Sequence, residues 1–242
     1  MAAALIVVGW TLTYLPVLDG TRAWDSRISE VLADSRTDEY ESLAGFLSRL
    51  ADAPSILALA GVITAILALA RKWLAMAFVP LGLLIEFACF GAVNYAVQRP
   101  RPDVPKIGSV PSTFSYPSGH VAATVVCWIG VALLLAMFGH ARLARGVAAL
   151  GTLVVAFEAW ARVYLGMHHV LDTALGVVMG GGALAIAARA LWPTAFDTAS
   201  PNVPLSVGDD DQMSRSTSRS ATTTSPSSTS PSSSNRTTSV PA

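Results

Sequence analysis

The chain has 242 residues, 52% hydrophobic and 13% charged, with a net charge of zero at neutral pH. That balance excludes an ordinary soluble domain, in which about a quarter of residues are charged, and the lack of net positive charge argues against a nucleic-acid partner. A hydrocarbon core about 30 Å thick takes about 20 apolar residues per helix. Runs of that kind recur through the first four fifths of the sequence, so its solvent is the lipid bilayer.

In chain order, the first predicted span covers residues 2–18; no Lys or Arg precedes Arg22, so it lacks the positive start of a cleaved secretory signal. A polar stretch follows in which Ile28, Val31 and Leu32, then Leu43, Phe46, Leu47 and Leu50, recur at helical spacing. These read as short amphipathic helices lying at the membrane interface. Further spans are predicted over 55–70, 73–97, 121–138, 147–161 and 173–191. The expected fold is therefore an all-α, six-transmembrane-helix bundle over residues 1–192. Residues 193–242 are rich in Ser, Thr and Pro, with an Asp209-Asp210-Asp211 cluster, and read as a disordered tail. The short connections with Arg71-Lys72 and with Arg142 and Arg145 carry positive charge and no acid, which places them and both termini on the cytoplasmic side of the cell membrane. Cys89 and Cys127 fall within apolar runs and read as small hydrophobes.

Polar groups at membrane depth are costly, so their clusters are candidate sites. The first, Asn94 to Pro102, closes the third span: its prolines end the helix, and Arg99 and Arg101 offer planar forks suited to phosphate oxygens. Alone, the pair also fits arginines snorkelling at a membrane border. The second, Tyr116-Pro117-Ser118-Gly119-His120, opens the fourth span. The free backbone N–H groups and positive dipole end there form an anion seat beside His120, although Pro-Ser-Gly is also ordinary helix-start chemistry. The third runs from Arg162 to Asp172, with His168 and Asp172 at i and i+4. On a helix the carboxylate would hold the imidazole by one nitrogen and leave the other free to attack. His169 points about a quarter turn away and reads as a pocket or interface residue.

The order and spacing of these clusters resemble the type 2 phosphatidic acid phosphatase family, whose members carry Lys, six residues, Arg-Pro; then Pro-Ser-Gly-His; then Ser-Arg, five residues, His, three residues, Asp. The matching residues here are Arg101-Pro102, Pro117-Ser118-Gly119-His120, and Arg162, His168 and Asp172. The resemblance implies a metal-independent lipid phosphatase without a cofactor, acting on a phosphorylated lipid within the bilayer. It implies that His168 attacks phosphorus, Asp172 orients His168, and His120 protonates the leaving group. It further implies that Asn94, Arg101, Ser118, Gly119 and Arg162 hold the phosphate. Two positions depart from the pattern: Asn94 stands where the family has lysine, and Ala161 where it has serine. An amide donates to phosphate without charge, so a weaker clamp is expected.

Glu158, one turn before Arg162, is expected to pair with it, whereas Glu86 has no evident partner. Gly176 and Gly180, with Gly181 and Gly182, read as a close-packing helix face. Two alternatives stand beside the phosphatase: a phosphotransferase of the same superfamily, in which an alcohol replaces water, and a catalytically silent phospholipid-binding protein, motivated by Asn94 and Ala161.

Overall fold

A computed structural model describes residues 1–193; the expected tail lies outside the described residues. The described chain is helical: α1 (Ala2–Tyr14), α2 (Asp19–Asp34), α3 (Asp38–Leu50), α4 (Ala53–Leu69), the short α5 (Trp73–Met76), α6 (Phe78–Val97), α7 (Gly119–Met137), α8 (Ala141–Tyr164) and α9 (Val170–Leu191).

Four segments are long and apolar enough to cross a membrane alone: Trp73–Val97, Gly119–Met137, Ala141–Tyr164 and Val170–Leu191. The expected first span differs. Its helix stops at Tyr14 and, after a break at Leu15 and a 3-10 turn, the chain bends by 76° into α2. At 1.5 Å per residue α1 is only about 20 Å long, short of the hydrocarbon core. A bend of 46° likewise joins α3 to α4. The chain is thus a multi-pass membrane protein with four full spans, or six when each bent pair is one span. Leu57, Ile66, Leu84, Phe87, Leu153 and Val178 are exposed on the outer faces, where lipid replaces water as their solvent.

α7 is the central helix, packed against α8 and α9, with α6 closing on both α7 and α9. The close-packing face read on α9 holds for two of its glycines. A Cβ at Gly176 would lie 2.6 Å from the Ser118 carbonyl and one at Gly180 2.5 Å from the Ala122 carbonyl, whereas Gly181 faces open space. Only glycine lets α9 approach the start of α7 this closely.

α2 and α3 are the expected amphipathic helices. Val31, Leu43, Phe46 and Leu50 are exposed, Leu32 and Leu47 pack against the bundle, and Asp25, Ser29, Ala44 and Ser48 are buried. Apolar side chains lose nothing by facing lipid, and the polar groups that turn inward, Asp25 and Ser48, find partners there. α1 is tied to the end of α6, where Trp10 Nε1 donates to the Ala96 carbonyl at 3.0 Å and Tyr14 Oη to the Val97 carbonyl at 2.8 Å.

Candidate active site

The site is built from the ends of α6 to α9 and from α2 and α3. After Val97 the left-handed backbone at Gln98 (φ 53°) stops α6 and turns the Arg99-to-Pro102 segment across the bundle end. Arg99 and Arg101 then diverge. Arg99, 4% exposed, bridges two fully buried carboxylates, donating to Asp172 Oδ1 at 2.5 Å and to Asp25 Oδ2 at 2.9 Å. Arg101 Nη1 donates to the Met167 carbonyl at 2.5 Å and Nη2 to the Thr113 carbonyl at 3.0 Å, which leaves its buried Nε without a partner among the described residues.

At the head of α7, Ser118 is the N-cap residue; its backbone N–H donates to the Asp172 carbonyl at 2.9 Å, and its buried hydroxyl has no partner among the described residues. The first-turn N–H groups of a helix point outward without acceptors, so Gly119 and His120 supply further donors beside that hydroxyl. His120 is half-buried, and its Nε2 lies 3.0 Å from Asp52 Oδ1 at the α3–α4 junction. Arg162, in the last turn of α8, donates through Nη1 to Ser48 Oγ at 2.7 Å, and its buried Nε has no partner among the described residues.

The turn from α8 to α9 holds His168. The Met167 and His168 N–H groups both return to the Arg162 carbonyl, at 3.0 and 3.2 Å. Gly166 makes this possible: it sits at φ 75°, and a Cβ there would lie 2.9 Å from the Pro105 carbonyl. His168 is 3% exposed, and its Nδ1 lies 2.6 Å from the Ser115 carbonyl. A carbonyl only accepts, so Nδ1 carries the proton and Nε2 presents a lone pair. Burial first, then the nearby Arg162 and Arg101 guanidinium groups, hold His168 well below the usual histidine range, so it is neutral at physiological pH. Burial also lowers Arg101, whereas in Arg99 the carboxylates of Asp172 and Asp25 outweigh burial and raise it.

Three expectations are corrected. Helix α9 begins only at Val170, so His168 and Asp172 do not share a helical face; Ser115, not Asp172, makes the contact to His168. Asp172 instead accepts from Arg99, from Ser115 Oγ at 2.5 Å and from the His169 N–H at 2.8 Å, with His169 the N-cap of α9. Asn94 is not free to meet a phosphate. Its Nδ2 donates to the Phe114 and Tyr116 carbonyls, both at 2.9 Å, and its Oδ1 accepts from the Phe114 N–H at 3.0 Å. Glu158 does not pair with Arg162, which bonds Ser48 instead; the Glu158 carboxyl has no hydrogen-bond partner among the described residues. Asp25, Ser48, Asp52 and Ser115 were not singled out from sequence. All four are ordinary polar residues whose partners lie more than fifty positions away.

Beside Arg162 a cavity of about 640 Å³ opens between α3 and the 107–109 loop, lined by Ser48, Arg49, Asp52, Ser109, Arg162 and Met167. Among the described residues no three His, Cys, Asp or Glu side chains are grouped to hold a metal ion.

A helical membrane bundle with this set of donors about two histidines defines a class of phosphate-handling membrane protein. Residues 74–195 match the family model of the PAP2 superfamily, and the chain belongs to that family, as a type 2 phosphatidic acid phosphatase family member. It is similar to decaprenylphosphoryl-5-phosphoribose phosphatase of Mycobacterium tuberculosis, with 34% identity over 128 residues, covering 52% of this chain and 64% of the relative. In fold it resembles the transmembrane PAP2 type phosphatidylglycerolphosphate phosphatase of Bacillus subtilis, with a TM-score of 0.69 and 19% identity over 83% of this chain and 98% of that one. It also resembles Aquifex aeolicus LpxE, with a TM-score of 0.54 and 18% identity over 67% of this chain and 93% of that one.

Proposed function

We propose that this protein is a metal-independent lipid phosphatase that removes a terminal phosphate from a phospholipid or polyprenyl (di)phosphate through a phosphohistidine at His168. One observation carries the proposal: Ser118 Oγ, Arg101 Nε and Arg162 Nε are buried donors without partners among the described residues, and the charges of Arg162 and Arg101 act on a neutral His168. Unpaired buried donors cost about 1–3 kcal/mol each, and an anion with three acceptor oxygens is the group that satisfies them together. Two of the similar proteins are named as phosphatases, of decaprenylphosphoryl-5-phosphoribose and of phosphatidylglycerolphosphate, which fits the same chemistry.

His168 Nε2 attacks phosphorus as the bond to the lipid oxygen breaks, and His120 transfers its proton to that departing oxygen. The N–P bond of the intermediate is then cleaved by water, which gives a proton back to His120; inorganic phosphate leaves and His168 is restored. Arg101, Arg162, Ser118 and the Gly119 N–H take up charge on the nonbridging oxygens. Arg99 and Asp172 hold the frame, and Asn94 is not a ligand. The site faces outward, both termini are cytoplasmic, and residues 1–192 form the working domain.

The test is phosphate release from phosphatidic acid, phosphatidylglycerol phosphate and a polyprenyl diphosphate in detergent with EDTA present. Release is expected for the wild type and lost in His168→Ala. Metal dependence or a fully active His168→Ala would overturn the mechanism.

A further inference from the structure

We infer that Asp25, on a helix outside the family-matched segment, is a positioning residue for the nucleophile His168, acting through Arg99, Asp172 and Ser115. The inference rests on the phosphohistidine reading above.

The chain of contacts is continuous. Asp25, fully buried, holds Arg99 Nη2 at 2.9 Å, and Arg99 Nη1 holds Asp172 Oδ1 at 2.5 Å. The other oxygen of Asp172 accepts from Ser115 Oγ at 2.5 Å, and the Ser115 N–H donates to the Arg99 carbonyl at 2.9 Å. Ser115 is therefore fixed at both its hydroxyl and its backbone, and its carbonyl is the group 2.6 Å from His168 Nδ1. Asp25 also accepts from the Leu171 N–H at 3.3 Å with its second oxygen, so one oxygen holds Arg99 and the other the first turn of α9, which follows His168.

The charge count makes Asp25 more than a bystander. Arg99 faces two carboxylates, and each carboxylate oxygen in the network has a donor. In Asp25→Asn Asp172 is the one carboxylate left to Arg99, and a single amide oxygen remains for two donors, Arg99 Nη2 and the Leu171 N–H, in a site closed to water. The arginine then shifts, the Ser115 carbonyl follows through its backbone bond, and the proton on His168 is no longer confined to Nδ1. Nε2 would be protonated part of the time, and a protonated nitrogen cannot attack.

The experiment uses the full-length protein in detergent micelles with dioctanoyl phosphatidic acid and reads two quantities. In Asp25→Asn, kcat should fall about ten- to a hundredfold with KM within about twofold, the scale set by small misplacements of reacting groups. With four histidines in the chain, ¹⁵N-histidine spectra resolve the tautomer, and the His168 signal, assigned by its loss in His168→Ala, should change from Nδ1–H towards a mixture. A structural role alone would lower the melting temperature without moving the tautomer. Ser115→Ala removes the hydroxyl link while keeping the carbonyl, and should show the same two changes even if Asp25→Asn fails to fold. A wild-type tautomer in folded Asp25→Asn or, failing that, in Ser115→Ala overturns the inference. An altered tautomer in a protein that releases no phosphate from any lipid supports it while refuting the phosphatase reading.

Discussion

Replacing Asn94 by lysine restores the residue type of the family pattern, and a charged donor to phosphate would strengthen the clamp, since charge-assisted hydrogen bonds are about twice as strong as neutral ones. The structure predicts a loss instead. Asn94 is 5% exposed and its amide is fully engaged with the 114–116 loop. In Asn94→Ala the Tyr116 carbonyl, on a residue of 0% exposure, loses that donor, at a cost of about 1–3 kcal/mol. The two Phe114 bonds belong to a residue 37% exposed and can pass to water, adding about 1 kcal/mol. The loop is thus loosened by about 2–4 kcal/mol, and Ser115, which holds His168, lies inside it. If 1.4 kcal/mol of this falls on the reactive geometry, turnover drops about tenfold. Lysine keeps a donor but offers no acceptor for the Phe114 N–H and brings a charge into a closed site. Measured as kcat/KM on dioctanoyl phosphatidic acid beside thermal unfolding, both variants should fall below wild type. A lysine variant that gains turnover would refute this placement of Asn94.

Three further outcomes are expected. Asp52→Asn should slow hydrolysis of lipid phosphates severalfold, because the carboxylate 3.0 Å from His120 Nε2 favours the proton-donating imidazolium, and should largely spare p-nitrophenyl phosphate, whose leaving group needs no proton; equal losses on both would contradict it. Because His168 is depressed by burial and the neighbouring arginines, it stays neutral below pH 6.5 while the unfolded chain takes up a proton, so the melting temperature should fall as pH drops from about 7 to 5, and His168→Gln should flatten that fall. A cysteine at Ser109 should react with an impermeant reagent from outside intact cells and one at Ser214 should not; Cys89 and Cys127 are buried and need no removal, and the reverse pattern would invert the topology.

What the sequence made legible was whatever depends on short spacing. Pro117 to His120 opens a helix by local rules, and Arg162 and His168 are six apart on one turn, so their neighbourhood followed from the motif. The orientation of His168 did not, because it turned on where α9 starts: two residues decide whether Asp172 faces the imidazole or caps the helix. Asn94 was misread because its position in a motif says nothing of where its amide points. The buried groups on α2 and α3 were missed for another reason. The interfacial reading expects an apolar face against the membrane but does not say which polar residues meet the bundle; Asp25 and Ser48 are fixed by partners more than seventy positions away.

These long-range contacts bear on how the site is divided along the chain. The groups proposed to act on phosphate, His120, Arg162 and His168, all lie in the family-matched segment 74–195. Three side chains in that segment take a partner from before it: Arg99 from Asp25, Arg162 from Ser48 and His120 from Asp52. Each contact supplies hydrogen-bonding capacity to a cation or proton donor at the mouth of a low-dielectric bundle, where an unmet donor is most costly. The N-terminal helices therefore act as a polar clamp on the reactive half as well as membrane anchors. α3 and the α3–α4 junction also form one wall of the 640 Å³ cavity, through Ser48, Arg49 and Asp52, so the segment that steadies Arg162 and His120 also lines the space beside them.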